Sequence, residues 1–169
     1  DILPSEALHC NSSYITAVSN DLSFEIIYSR LISGIGKAGD VLVGLSTSGN
    51  SANIVKAFET CHEKAITTVA FTGADGGRMR ELTKLLINVP STDTPRIQEA
   101  HITIGHIICE LVEEEIFDLL EGKHDFIFIA SLKNGMGVVW ILMVVEESIS
   151  GPTGDDEEQK KALMFDSLF

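Results

Sequence analysis

From Tyr14 to Pro90 the chain alternates short apolar runs with stretches of helical periodicity, and this alternation restricts the fold more than any other feature. Strand, helix, strand is the order of parallel strands joined by crossover helices, so the predicted class is α/β. The expected strands are Tyr14–Val18, Val41–Leu45, Thr67–Phe71 and Leu85–Val89. Most are apolar throughout instead of alternating, as strands covered by helices on both faces are. Helices are expected over 24–35, 52–64 and 78–84, and from Thr94 or Pro95 to about Phe117. In the last of these Ile97, Ile104, Ile107, Ile108, Leu111 and Val112 recur at near-helical spacing, and Pro95 suits a first helical turn.

A chain of 169 residues holds one compact domain, with or without an appendage, more easily than two. With 44% hydrophobic and 22% charged residues it has enough apolar material to pack a core, which excludes a disordered or collagen-like chain. Twelve basic residues against 25 acidic ones leave a net charge of −13, which works against nucleic acid and anionic membranes as partners. A phosphorylated ligand must then be held by local geometry. Cys10, Cys61 and Cys109 are far apart, odd in number and without CxxC spacing, so neither a disulfide framework nor a cysteine zinc site is expected, and a reducing cytoplasm is the simpler setting. The opening Asp1-Ile2-Leu3-Pro4 lacks an initiator Met and a basic stretch leading into an apolar one; a truncated start is expected, without a signal peptide. The longest apolar run, Val138 to Val145, is far shorter than the roughly 20 residues of a membrane-spanning helix.

Beyond Phe117 the texture changes. Residues 118–169 are denser in acids and contain a possible strand at Phe126–Ala130, the apolar run at 138–145, and a Gly-Pro-Thr-Gly turn leading into Asp155-Asp156-Glu157-Glu158. The acidic run suits the N-terminus of a short helix, where it complements the helix dipole. The expected organisation is a domain over 1–117 and an acidic extension over 118–169.

Chemistry concentrates in three places. Gly44-Leu45-Ser46-Thr47-Ser48-Gly49-Asn50-Ser51 follows a strong strand and opens a strong helix, where exposed N–H groups and the positive helix end attract phosphate and hydroxyls add donors. Neither GxxxxGK[ST] nor GxGxxG after a strand occurs, which argues against an ATPase or a dinucleotide oxidoreductase and favours a small phosphorylated metabolite. The competing reading is a turn that merely caps the helix. Asn20-Asp21, expected just past the Tyr14–Val18 strand at the carboxyl edge of the sheet, could hydrogen-bond sugar hydroxyls or equally form a turn and cap. On the long helix, Arg96, Gln98, Glu99, His101 and His106 form a polar set among apolar residues; helical histidines are usually structural, but an imidazole beside Gln and Glu also suits acid/base work or metal ligation.

Taken in order, Asn20-Asp21, GDVLVGLSTSGNSANIVKA from Gly39, FTGADGG from Phe71 and PSTDTPRIQEAHITIGHIICELVE from Pro90 resemble the SIS sugar-phosphate isomerase domain, and within it the phosphoheptose isomerase family, over roughly His9 to Phe117. The resemblance implies a three-layer parallel-sheet sandwich and a cytoplasmic, homotetrameric enzyme. It further implies conversion of sedoheptulose 7-phosphate to glycero-manno-heptose 7-phosphate, toward activated heptose for lipopolysaccharide or surface glycans. By position it implies phosphate binding by Ser46, Thr47, Ser48 and Ser51, substrate contact by Asn20, Asp21 and Gln98, catalysis by His106, and zinc ligation by Gln98 and His106. Moving a proton between adjacent carbons through an enediol needs a base, an acid and a group that polarises the carbonyl, which agrees with these residue types.

The family's first strand, its Gly-Asn-Gly-Gly-Ser loop and the following helix with an HxxxE pair, which supplies two further zinc ligands and the base, have no counterpart here. An N-terminally incomplete domain that keeps the phosphate pocket but lacks half the catalytic constellation is therefore expected, its activity open, with Phe126–Ala130 either refilling the vacated strand position or part of an unrelated sequence from an aberrant reading frame. Gln98 and His106 are eight residues apart, about 12 Å along a straight helix, so a shared zinc would require different subunits or a bent helix. The alternatives are a non-catalytic SIS module acting through protein contact, resembling the DnaA initiator-associating protein, and a domain that only senses a sugar phosphate. His106 and the intact STSGNS string favour the enzyme over the first.

Overall fold

The computed structural model describes residues 4–121 and 139–143. The elements in chain order are β1 (Ser5–Ala7), α1 (Ser12–Asp21), a 3-10 turn (Phe24–Ile26), α2 (Ile27–Ile35), β2 (Val41–Leu45), α3 (Ala52–Glu63), β3 (Thr67–Thr72), a second 3-10 turn (Arg78–Leu82), β4 (Leu85–Asn88), α4 (Thr94–Glu121) and β5 (Val139–Met143). Every strand pair is parallel and the sheet order is β1-β5-β2-β3-β4. The α/β expectation holds, with β2, β3 and β4 close to their expected bounds.

The segment expected as the first strand is a helix. Tyr14-Ile15-Thr16-Ala17-Val18 is rich in strand formers, but Asn11 caps the segment, its Oδ1 accepting from Tyr14 N at 3.0 Å. Tyr14, Ile15 and Val18 then fall on one helical face, where they pack against the core. Tyr14 also donates its hydroxyl to Ile27 O at 3.0 Å, tying α1 to α2. Tertiary packing overrides the β propensity. The expected 24–35 helix divides where Ser23 Oγ accepts from Glu25 N at 3.1 Å and starts a 3-10 turn ahead of α2. The expected 78–84 helix is only the 3-10 turn Arg78–Leu82.

In β2 Leu42 and Gly44 lie on the face toward α3. Gly44 is required there: a Cβ would lie 2.6 Å from Phe58 Cε1 and 2.9 Å from Ile54 Cγ2. Phe58 is fully buried, and truncating such a side chain to Ala costs about 3–5 kcal/mol. Gly44 pairs with Ala70 and Leu45 with Phe71, so Phe71 points to the opposite face, where its ring meets that of His101 on α4. Helices α2 and α3 therefore cover one face of the sheet, and the start of α4 lies on the other, the expected three layers. Val41, Val43 and Leu45 on the α4 side are only half-buried.

The sequence position beside β2 is filled by Val139–Met143, which pairs with both β1 and β2. The sheet thus has a strand where a missing one was expected, and it comes from the run at 138–145. The expected filler, Phe126–Ala130, and the turn and acidic run at 151–158 lie outside the described residues. Strand β1, Ser5–Ala7, was not anticipated, because Ser-Glu-Ala carries no apolar signal. No helix of the described residues is long and apolar enough to cross a membrane.

Candidate functional site

The serine turn grows directly out of β2. Ser46 N donates to Phe71 O at 2.9 Å, extending the β2–β3 ladder by one residue, and the chain then folds back so that Gly49 N reaches Ser46 O and Ser46 Oγ, each at 3.1 Å. Gly49 has φ +66°, and a Cβ on it would collide with the Gly76 carbonyl. Ser46 and Ser51 are buried with their hydroxyl oxygens 3.0 Å apart, and Ser48 Oγ is 3.4 Å from Ser46 Oγ. Ser51 is the N-cap residue of α3, yet its side chain makes no capping hydrogen bond. The result is a cluster of hydroxyls at the positive end of a 12-residue helix, at the carboxyl edge of a parallel sheet, the setting in which backbone amides and hydroxyls hold anions.

A second turn, Gly73–Gly77 at the end of β3, is pressed against the first. Gly73 N donates to Thr47 O at 2.9 Å and Met79 N to Gly49 O at 3.0 Å. A Cβ on Gly73 would meet Thr47 O at 2.6 Å and Ile97 Cδ1 at 2.8 Å, so the serine turn, the glycine turn and the first turn of α4 converge at this residue. Asn50 links the two turns: Nδ2 donates to Ser48 O at 2.9 Å, and Oδ1 accepts from Arg78 N at 3.0 Å. Neither the glycine turn's supporting part nor the role of Asn50 was read from the sequence; the dense glycines of FTGADGG were the available signal.

On α4, Ile97 is buried and Gln98 half-buried beside this convergence. Arg96 and Glu99 pair at 2.6 Å, but both are about 60% exposed, and such surface pairs contribute little. His101 is 3% exposed, with Nε2 3.1 Å from Thr72 O and its ring edge-on to Phe71 at 5.5 Å. Burial pushes its pKa below the usual imidazole range, and the Thr72 hydrogen bond offsets this in part. A neutral ring donating from Nε2 satisfies that carbonyl, so His101 anchors α4 to β3 instead of facing a ligand. His106 is exposed, about two turns beyond Gln98 on the same helix.

The HxxxE spacing does occur in the chain, at His106 and Glu110, but on the final helix and not on a helix following the first strand. Among the described residues no group of three or more His, Cys, Asp or Glu could hold a metal ion. Zinc takes four ligands in structural sites and three plus water in catalytic ones, so Gln98 and His106 of one chain do not fit it by themselves. Asn20 and Asp21 are exposed at the C-terminal end of α1. They do not follow a strand, and so their expected place at the sheet's carboxyl edge is not found. The structure brings together Ser46, Thr47, Ser48, Ser51 and the Gln98 end of α4, and leaves His106 apart from them.

Residues 2–73 match the family model described as "SIS domain". The phosphoheptose isomerase of Aneurinibacillus thermoaerophilus is 56% identical over 115 residues, covering 68% of this chain and 58% of that protein. That of Rhodospirillum rubrum is 54% identical over 114 residues, with 68% and 61% covered. Over residues 2–73 the chain is an SIS domain. Two solved structures are similar to it. The phosphoheptose isomerase GmhA of Neisseria gonorrhoeae has a TM-score of 0.63 at 43% identity, covering 64% of this chain and 61% of that one. The phosphoheptose isomerase of Francisella tularensis has a TM-score of 0.62 at 32% identity, with 63% and 58% covered. The chain spans about three-fifths of the length of the curated relatives it matches.

Proposed function

We propose that this SIS domain belongs to a sedoheptulose 7-phosphate isomerase and that its serine turn holds the substrate's phosphate. The observation that carries the reading is the set of clustered hydroxyls of Ser46, Ser48 and Ser51 at the N-terminus of α3, in a chain more than half identical to phosphoheptose isomerases over this region. Ser46, Thr47, Ser48 and Ser51 grip the phosphate, and Gln98 contacts the sugar. His106 takes a proton from the carbon beside the ketone and returns it to the former carbonyl carbon, while the ketone oxygen gains a proton from solvent and the neighbouring hydroxyl gives one up, so that an enediol links ketose and aldose with no net loss of atoms. Zinc is the metal implied for such an isomerase; Gln98 and His106 from different subunits would supply two of its donors.

Helix α4 supports a homo-oligomeric, tetrameric assembly. Ile102, Ile107, Ile108, Leu111 and Val112 are 36–54% exposed along one helix, an apolar row that a second copy would cover. Such an assembly also brings His106 of one protomer toward the serine turn of another, which the 12 Å or so between Gln98 and His106 along a single helix calls for. A cytoplasmic role in heptose supply for lipopolysaccharide or surface glycans completes the reading.

The test is incubation of the purified chain with sedoheptulose 7-phosphate and zinc, following the aldose product, beside calorimetric titration with the same sugar phosphate. Binding and turnover, with turnover lost in His106→Ala and binding kept, support the isomerase. Binding without turnover supports the second reading, a module that binds the sugar phosphate without isomerising it, which the separation of His106 from the serine turn favours. Absence of both overturns the phosphate assignment.

A further inference from the structure

The carboxamide of Asn50 bridges two loops that follow different strands. Its Nδ2 donates to Ser48 O at 2.9 Å, its Oδ1 accepts from Arg78 N at 3.0 Å, and its own N–H donates to Ser48 Oγ at 3.1 Å. The amide orientation is dictated by these partners, since a carbonyl must meet a donor and an N–H an acceptor. Around this bridge the two turns approach as closely as backbones can: Gly49 and Gly77 have φ +66° and +50°, and a Cβ on Gly77 would lie 2.5 Å from Ser48 O. Asn50 is exposed, so it fills no core space and its side chain is not explained by packing.

We propose that Asn50 is a positioning residue of the phosphate site: its carboxamide locks the Ser48 peptide to the Gly77–Arg78 peptide, so that the serine turn and the glycine turn act as one rigid cradle. The proposal rests on the phosphate reading above and adds a residue that touches no ligand. Preorganisation of this kind lowers the cost of ordering hydroxyls on binding. Asparagine is required because the bridge needs a donor and an acceptor at one length. Aspartate keeps the acceptor, but sets a carboxylate oxygen against the Ser48 carbonyl.

The experiment titrates inorganic phosphate into the full chain and into Asn50→Ala and Asn50→Asp, with the melting temperature of each, and maps amide hydrogen exchange of the wild type with and without phosphate. The expected result is a loss of affinity of about tenfold in both variants, with melting temperatures close to wild type. In the wild type, phosphate is expected to slow exchange at 78–79 together with the amides of 46–51. Wild-type binding with both variants within twofold, or protection confined to 46–51, overturns the role of Asn50 while leaving the phosphate site standing. No binding by the wild type overturns both. Should Asn50→Ala fail to fold, Asn50→Asp and the wild-type exchange map decide.

Discussion

The Nε2 atom of His101 lies 3.1 Å from the carbonyl oxygen of Thr72, the last residue of β3. This bond fastens a long helix to the sheet edge from which the candidate site is built, and it is burial that favours the neutral imidazole. The folded-state pKa lies below that of the unfolded chain, so the stability it reports is fully present above the unfolded value of about 6.5 and is lost as the pH falls through it toward the lower folded value. Urea unfolding midpoints should therefore fall between pH 8 and pH 5. His101→Leu should be less stable at pH 8 by about 1 kcal/mol, because Thr72 O loses one of its two donors and keeps Val89 N, and should show a shallower pH dependence. An unchanged pH dependence in the variant would discard this assignment.

Gly49→Ala places a Cβ against the Gly76 carbonyl at a backbone angle that L side chains rarely adopt. We expect a destabilisation of at least about 2 kcal/mol, measured by denaturant titration. Gly34→Ala, where a Cβ meets nothing within 4 Å, should be neutral or stabilising.

Ser46 and Ser48 should separate folding from binding. Ser46 Oγ is buried and accepts from Gly49 N at 3.1 Å, so Ser46→Ala should lower stability by about 1 kcal/mol as well as phosphate affinity. Ser48 is exposed, and Ser48→Ala should weaken phosphate binding with a stability change within about 0.5 kcal/mol. Equal stability losses in the two variants would contradict the difference in burial.

Cys61 is buried, and its thiol is pushed up to about 12 by burial and by the nearby Asp40 carboxylate, whereas Cys10 and Cys109 are exposed. A thiol reagent at pH 8 should label the two exposed residues promptly and Cys61 only as fast as the fold opens. Prompt labelling of all three in native conditions would count against the core described for α3.

Ile107→Asp and Leu111→Asp test the apolar row of α4. Light scattering should show an oligomer for the wild type and smaller species for the variants, with unfolding of the domain body little changed, because both side chains are exposed. An identical mass for wild type and variants would remove this helix from the interface.

The α/β class, the strands 41–45 and 67–72, and the helix after the serine turn were legible because their apolar runs are long and sharply bounded. Tyr14–Val18 misled because β-branched residues there share a face at helical spacing too, and the cap at Asn11 was the signal that distinguishes the two. The serine turn was legible as an anion site from its hydroxyls and its place between strand and helix. Its partner turn was not, since contact between Gly49 and Gly77 is set by how β2 and β3 pair and leaves only glycines as a trace. His101 and His106 look alike in sequence; only the packing of α4 on Phe71 and Thr72 tells the buried anchor from the exposed imidazole.

Among the described residues strand β1 pairs only with β5, which lies between it and β2. During synthesis the three strands from β2 to β4 can zip together as they leave the ribosome, while the amino-terminal edge has to wait for a partner made much later. Closing so wide a loop is slow for entropic reasons, so the last event in assembly should be the insertion of a single strand into a gap already walled on one side. Until then the flank of β2 stands open to any extended peptide, and a chaperone or a second unfinished chain would compete for it.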